Sequence, residues 1–251
     1  MKIVVLTNNN SLFGKKLIQQ IEQNNIPLEG VVILNQPISY HLTLLRYVVK
    51  RVGFIQAMLL AIMSVIKGFL LTTENISYSD FSSRLYYSNG TNNNDTEDLL
   101  KKLKPDILVL GQTGIIRNNI IKTASIGVIN SHPGVLPEYR GIDCLKWAIL
   151  NNDSSKIGCT VHWVNSGVDT GHIITKSLFQ IDPKLSLENL EWNLYLLCIS
   201  KLVSTLKNFQ SGIYQEGEKQ FANAGKQYYK MSIFNEMKVR NKIKRSHNEP
   251  S

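Results

Sequence analysis

The stretch KIVVLTNNNSLFGKKLIQQIEQNNIPLEGVVIL, residues 2–34, decides the fold class. Residues 2–7 form a short branched apolar run that is typical of a buried strand. The next eighteen residues place Leu12, Leu17, Ile18 and Ile21 on one face of an amphipathic helix. Residues 28–34 form a second apolar run. Strand, helix and strand in this order predict an α/β protein whose sheet is mostly parallel and twisted.

The same pattern continues further along the chain. DILVLG (106–111) and IGVIN (126–130) predict two more buried strands, with a short helix between them. KIGCTVHWV (156–164) and HIITKSLFQI (172–181) predict a pair of strands around the turn NSGVDTG. Ser186 is a candidate N-cap for a last long helix, from residue 187 to about residue 210. We therefore expect one catalytic domain over 1–210.

Residues 41–71 stand apart because they are apolar, contain no acidic residue and carry no charge between Arg51 and Lys67. The preferred interpretation is one or two helices inserted after the second strand and buried against the domain. A basic, apolar surface that touches a membrane or a partner chain is the alternative. A membrane span needs about 20 apolar residues, and this run falls short of that.

Residues 211–251 are interpreted as a short C-terminal extension. It contains an aromatic, basic stretch, GKQYYKMSIF (225–234), and ends in KVRNKIKRSHNEPS (238–251). The polar and basic composition of 238–251 predicts a disordered tail.

Charge and cysteine content indicate which ligands, metal sites and cellular compartment to expect. The 251 residues carry a net charge of +9, which favours anionic ligands such as a nucleotide. Cys144, Cys159 and Cys198 form neither a CxxC pair nor a zinc spacing, and we predict no metal site. The N-terminus MKIVVLTNNN does not resemble a signal peptide, so the expected location is the reducing cytoplasm.

Three polar residues follow predicted strands. Asn130 and His132 lie where IGVIN ends, and Asp169 lies in the loop NSGVDTG. Ligands of parallel sheets bind beyond the carboxyl ends of strands, so these side chains can meet at one edge. An Asn amide can donate to an oxyanion, and a His beside a carboxylate can move protons. A lone His or a turn Asp is also a common surface feature, so spacing alone leaves the site open.

The motifs taken together resemble the core of the folate-dependent formyltransferases. IGVINSHPGVLPEYRG (126–141), WAILNN (147–152) and IGCTVHWVNSGVDTGHII (157–174) carry this resemblance, which spans roughly residues 103–182. It implies a Rossmann-like formyltransferase fold and 10-formyltetrahydrofolate as formyl donor, with no metal. It also implies that Asn130 and His132 stabilise a tetrahedral oxyanion, while Asp169 orients His132 and helps to move the amine proton.

The resemblance also implies positions for binding residues. Donor binding is expected at Gly111, Gln112, Thr113, Val135, Leu136 and Val168, and acceptor binding at Tyr139, Arg140 and Gly141. His162 is interpreted as a structural or supporting residue, with a catalytic role as the alternative.

The sugar N-formyltransferases are the members that the whole chain resembles most. They act on nucleotide-linked amino sugars that feed surface polysaccharides such as the O-antigen of lipopolysaccharide. The predicted partner is therefore a nucleotide-linked amino sugar, with no nucleic acid, and the expected assembly is a homodimer through 41–71 or the C-terminal aromatic stretch. The alternatives are glycinamide ribonucleotide or methionyl-tRNA as acceptor, or a non-catalytic relative that binds a partner or a membrane through 41–71.

Overall fold

The structure is a computed structural model that describes residues 1–71, 76–221 and 224–248. The strands are β1 (Ile3–Asn8), β2 (Gly30–Asn35), β3 (Leu85–Asn89), β4 (Ile107–Gly111), β5 (Gly127–His132), β6 (Tyr139–Gly141), β7 (Gly158–Trp163), β8 (Ile173–Leu178) and β9 (Lys226–Tyr228). The helices are α1 (Leu12–Gln23), α2 (Ile38–Val52), α3 (Phe54–Leu71), α4 (Asn94–Leu103), α5 (Asn118–Ile121), α6 (Cys144–Leu150), α7 (Leu187–Gln210) and α8 (Ile233–Asn248).

Seven strands form the main sheet in the order β3-β2-β1-β4-β5-β7-β8. The first five of these strands are parallel, and β7 and β8 join antiparallel at one edge. This mostly parallel sheet confirms the predicted fold class. The strands predicted from apolar runs are all present, with bounds that shift by at most three residues.

The apolar residues of the parallel strands alternate between two cores. Ile3 and Val5 face the layer that contains α1 and α7, whereas Val4 and Leu6 face the layer that contains α4 and α5. This period of two is the reason why the central strands read as continuous apolar runs: both of their faces are buried. Ser186 caps α7 as predicted, because its hydroxyl accepts a hydrogen bond from the Asn189 amide at 3.2 Å.

Residues 41–71 form two helices, but the expectation that they are buried is wrong for the side chains that the structure describes, those of 41–63. No residue of α2 is buried, and among the side chains described in α3 (54–63) only Ala57 is. Helices α1 and α7 cover one face of the sheet, and α4 and α5 cover the other. The helical hairpin formed by α2 and α3 therefore has no sheet face to pack on. In the three described ranges, no helix combines the length and hydrophobicity that crossing a bilayer requires.

The expectation of a disordered tail over 238–251 is also wrong for residues 238–248, which belong to α8. Val239 and Ile243, four residues apart, give α8 an apolar stripe that packs into the main core. Lys242 Nζ donates to the Leu150 carbonyl at 2.7 Å, at the C-terminus of α6. Residues 249–251 lie outside the described residues.

A candidate active site at the carboxyl edge of the sheet

Asn130 and His132 lie at the C-terminal end of β5. Because they are two residues apart in a strand, their side chains point to the same side of the sheet. β5 continues two residues beyond its predicted end, because antiparallel pairing with β7 extends to His132. In this register Asn130 lies opposite His162, and His132 lies opposite Thr160. Pairing therefore brings a second histidine into the site.

Asp169 lies between the two histidines. It belongs to the loop between β7 and β8 and has a φ of 53°, a left-handed conformation that Asp tolerates better than most residues. Its Oδ2 is 3.5 Å from His132 Nδ1, and its Oδ1 is 3.7 Å from His162 Nε2. The side chain is 14% exposed, so these contacts are shielded from most solvent.

Two further contacts hold the Asp169 loop in place. The backbone amide of Gly141 donates to Asp169 Oδ2 at 2.8 Å. Gln220 Nε2 donates to the carbonyls of Asp169 at 3.0 Å and Gly171 at 2.6 Å. The contribution of Gln220 was missed by sequence reasoning, because it lies about fifty residues away in a segment that has no motif.

His132 is buried among acceptors. Its Nε2 is 2.8 Å from the Tyr139 carbonyl, which can only accept, so Nε2 carries a hydrogen. Its Nδ1 faces the Asp169 carboxylate. Both ring nitrogens therefore have an oxygen acceptor when the ring is protonated. Cys144 Sγ lies 3.5 Å from Nε2, and burial raises the pKa of this thiol well above its ordinary value, so it stays neutral.

His162 supports Asn130. Burial lowers the pKa of His162, which keeps the ring neutral near pH 7. Its Nδ1 donates to the Trp163 carbonyl at 2.8 Å, so Nε2 is left as an acceptor for Asn130 Nδ2 at 3.3 Å. His162 thereby fixes which end of the Asn130 amide points toward β7.

The residues expected to bind the donor lie at three places on this edge. Gly111 is the last residue of β4, the neighbour of β5, and Gln112 and Thr113 follow it. The Gly111 carbonyl accepts a hydrogen bond from Thr7 Oγ1 at 2.7 Å. The side chains of Val135 and Leu136 are buried, and the Leu136 amide donates to Thr160 Oγ1 at 3.1 Å. Val168 is half-buried beside Asp169. Their role in donor binding stays a prediction.

The residues expected to bind the acceptor form β6, which pairs in parallel with β9. The Tyr139 ring stacks on Tyr228 with 4.9 Å between the ring centres, and burial raises the pKa of Tyr139 to about 12. The aromatic stretch 225–234 therefore packs partly on its own chain. Arg140 Nε is buried and has no hydrogen-bond partner among the described residues. Gly141 has a φ of 97°, and a Cβ there would lie 2.2 Å from the Tyr228 carbonyl.

A buried ion network joins the site to α8. Lys146, which is 2% exposed, lies 3.5 Å from Asp143, 3.2 Å from Glu191 and 2.8 Å from Glu236. Burial alone would lower the pKa of Lys146, but the three carboxylates outweigh it and raise the pKa. Asp143 lies two residues after Gly141, so this network fixes the chain beside the site. In the described ranges, no cluster of His, Cys, Asp or Glu could hold a metal ion.

Comparison with known proteins places this geometry in a family. The formyl transferase family model matches residues 65–198, more than half of the 251 residues. The methionyl-tRNA formyltransferase of Ehrlichia ruminantium (strain Welgevonden) is 34% identical over 118 residues, 47% of this chain and 39% of that protein. The chain spans less than half of the length of the curated relatives it matches.

Solved structures show the same fold over longer ranges. A sugar N-formyltransferase from Shewanella sp. FDAARGOS_354 has a TM-score of 0.60, covering 95% of this chain and 87% of that one at 15% identity. An N-formyltransferase from Helicobacter canadensis, solved with folinic acid and dTDP-3-aminofucose, has a TM-score of 0.61, covering 100% and 84% at 15% identity. From the family match and from the polar residues at the carboxyl edge of the sheet, this chain belongs to the formyl transferase family.

Proposed function

We propose that this chain transfers a formyl group from 10-formyltetrahydrofolate to the amine of a nucleotide-linked amino sugar. The observation that carries the proposal is the position of Asp169 between His132 and His162, with Asn130 beside them. An amide donor, a protonatable ring and a carboxylate are the groups that an acyl transfer to an amine requires.

In this reaction the acceptor nitrogen attacks the formyl carbon, and a new C–N bond forms while the carbonyl becomes an oxyanion. Asn130 Nδ2, which has a second hydrogen besides the one facing His162, would donate to that oxyanion, and the nearby His132 ring would stabilise it through its positive charge. The intermediate collapses when the bond from the formyl carbon to N10 of the folate breaks. The proton lost by the amine goes to N10, and Asp169 would help to carry it, directly or through a water.

Asp169 also explains why His132 can act. The carboxylate, 3.5 Å from Nδ1, fixes the plane of the His132 ring. The contact with Gly141 keeps the second lone pair of Oδ2 occupied, so the carboxylate cannot swing away from the ring without losing a backbone hydrogen bond. The loop with Val168 and the residues after β4 would hold the folate.

Three observations support an amino sugar on a nucleotide as the acceptor. The fold matches sugar N-formyltransferases over most of both chains. The net charge of +9 favours an anionic nucleotide diphosphate. Arg140, on the strand expected to bind the acceptor, has a buried Nε that an acceptor oxygen could satisfy. Such a product would feed surface polysaccharide synthesis.

The test is to incubate the purified chain with 10-formyltetrahydrofolate and a set of acceptors: nucleotide-linked amino sugars, glycinamide ribonucleotide and methionyl-tRNA. Product is identified by mass spectrometry, with Asn130→Ala as an inactive control. We expect formylation of one nucleotide-linked amino sugar. The sequence similarity to methionyl-tRNA formyltransferases makes methionyl-tRNA the second candidate, and its exclusive formylation would refute the sugar proposal while preserving formyl transfer.

A further inference from the structure

The α2–α3 hairpin exposes an apolar stripe that runs along α3. Phe54, Ile55, Met58, Leu59 and Ile62 are 46–76% exposed. Their spacing places all five on one face of the helix. The buried Ala57 points away from this face. Exposed apolar side chains gathered on one helix face mark a binding surface rather than random surface composition.

Helix α2 has an exposed apolar line of its own and adds charge. Ile38, Leu42 and Leu45 follow the helical repeat and are 46–78% exposed. Arg46 and Lys50, also exposed, lie beside this apolar line, four and eight residues after Leu42. No Asp or Glu occurs between Glu29 and Glu74. The surface is therefore apolar and only positively charged.

The hairpin is attached at the carboxyl edge of the sheet. At its start, the Tyr40 hydroxyl lies 3.0 Å from where a Cβ on Gly114 would be, in the loop after β4. At the end of α2, the Arg51 guanidinium lies over the Tyr229 ring at 3.8 Å, just after β9. Because β9 pairs with β6 next to Asp169, α2 runs from one side of the candidate site to the other.

We propose that the α2–α3 hairpin docks this chain on an anionic lipid bilayer, with the apolar stripe in the headgroup region and Arg46 and Lys50 against the lipid phosphates. Helices that lie in a membrane surface have this combination of one apolar face with flanking Lys and Arg. Docking would hold the carboxyl edge of the sheet, and with it the candidate site, close to the membrane. This inference does not depend on the proposed function.

The charge pattern favours lipid over a second copy of the chain. A two-fold interface places the same patch of both subunits together, so Arg46 and Lys50 of each would face a surface that has no carboxylate of its own. Each Lys or Arg near an anionic membrane instead gains attraction.

The experiment is flotation of the full chain with phosphatidylcholine vesicles, with and without phosphatidylglycerol. Two variants probe the surface: Ile55→Ser/Met58→Ser/Ile62→Ser and Arg46→Gln/Lys50→Gln. The three apolar side chains are more than half exposed, and the two basic side chains are also exposed. The fold should therefore persist in both variants. The matched control, Leu178→Ser/Ile213→Ser/Phe221→Ser, removes three apolar side chains of similar exposure elsewhere.

We expect the wild type and the control to float with the anionic vesicles, and the apolar variant to bind more than about tenfold more weakly. Loss of two positive charges should weaken binding on the order of 30-fold at low salt. Equal binding to neutral vesicles, or unchanged binding by the apolar variant, would overturn the proposal. So would a wild-type dimer that does not float and that the apolar variant converts to a monomer. Formyl transfer in vesicle-free solution is measured separately and should not change in either variant.

Discussion

Replacement of Asp169 by Asn tests the proposed chemistry most directly. The two side chains have the same shape, and the Asn oxygen can still accept the hydrogen bond of the Gly141 amide. What is lost is the negative charge beside His132 Nδ1 and His162 Nε2. The fold should therefore persist while the His132 ring loses the charged partner that would stabilise positive charge on it in the transition state.

The distance sets the size of the effect. Two unit charges at 3.5 Å attract by about 5 kcal/mol at an effective dielectric constant of about 20. The dipole of the Asn amide recovers part of this, so about 3–5 kcal/mol of transition-state stabilisation should be lost. Because about 1.4 kcal/mol corresponds to a factor of ten, kcat should fall by about 10²–10⁴-fold.

The assay compares kcat of Asp169→Asn with wild type, using whichever acceptor the formylation experiment identifies, and compares folate affinity by equilibrium binding. Asp98→Asn is the matched control, since Asp98 is exposed on α4 and undergoes the same loss of charge. We expect a large drop in kcat for Asp169→Asn alone, with folate affinity little changed. Near-normal turnover by a folded Asp169→Asn protein would show that this carboxylate does not support His132.

Three further predictions concern stability. Lys146→Met should destabilise the fold by about 3–5 kcal/mol in urea unfolding, because Glu236 and its neighbours would remain as buried, uncompensated carboxylates. Burial lowers the pKa of His162 in the folded state, so as the pH falls the unfolded chain becomes protonated at this residue before the folded chain does. The free energy of unfolding should therefore decrease as the pH falls below about 6.5. His162→Gln should flatten that slope in unfolding measured across this range. Gly171→Ala should cost about 1–3 kcal/mol by thermal unfolding, because its Cβ would lie 1.7 Å from the Trp163 carbonyl; an unchanged transition would contradict this packing.

The strands and the edge at which the polar residues meet were predictable from the sequence. Branched apolar runs such as 3–6 and 107–110 are buried on both faces, which requires a parallel sheet covered by helices. In such a sheet the residues after each strand converge, so Asn130, His132 and Asp169 could be expected together. The close contact with His162 depends on the register of β5 with β7, which no local pattern determines.

Two expectations failed because burial depends on neighbours. The apolar content of 41–71 predicted a buried pair of helices, but the sheet has no free face for them. The basic content of 238–248 predicted disorder. Among so many charged residues, the helical spacing of the two apolar residues Val239 and Ile243 is not an evident signal, yet both are buried in α8. In both segments, burial depends on whether the fold offers the helix a surface to pack against, and amino-acid composition does not reveal this.

The positive charge of the chain has two different origins, and they bear differently on its partners. Lys146, Lys230 and Arg240 lie within 3.5 Å of carboxylates of the same chain, so their charge stabilises the fold around α8. Arg46 and Lys50 belong to a run of sequence without any Asp or Glu. Their charge is available to an anionic partner, and the exposed apolar residues beside them suit a partner with both phosphates and hydrocarbon. The net charge alone would not separate these groups, whereas the structure places the first in ion pairs around α8 and leaves the second exposed on α2.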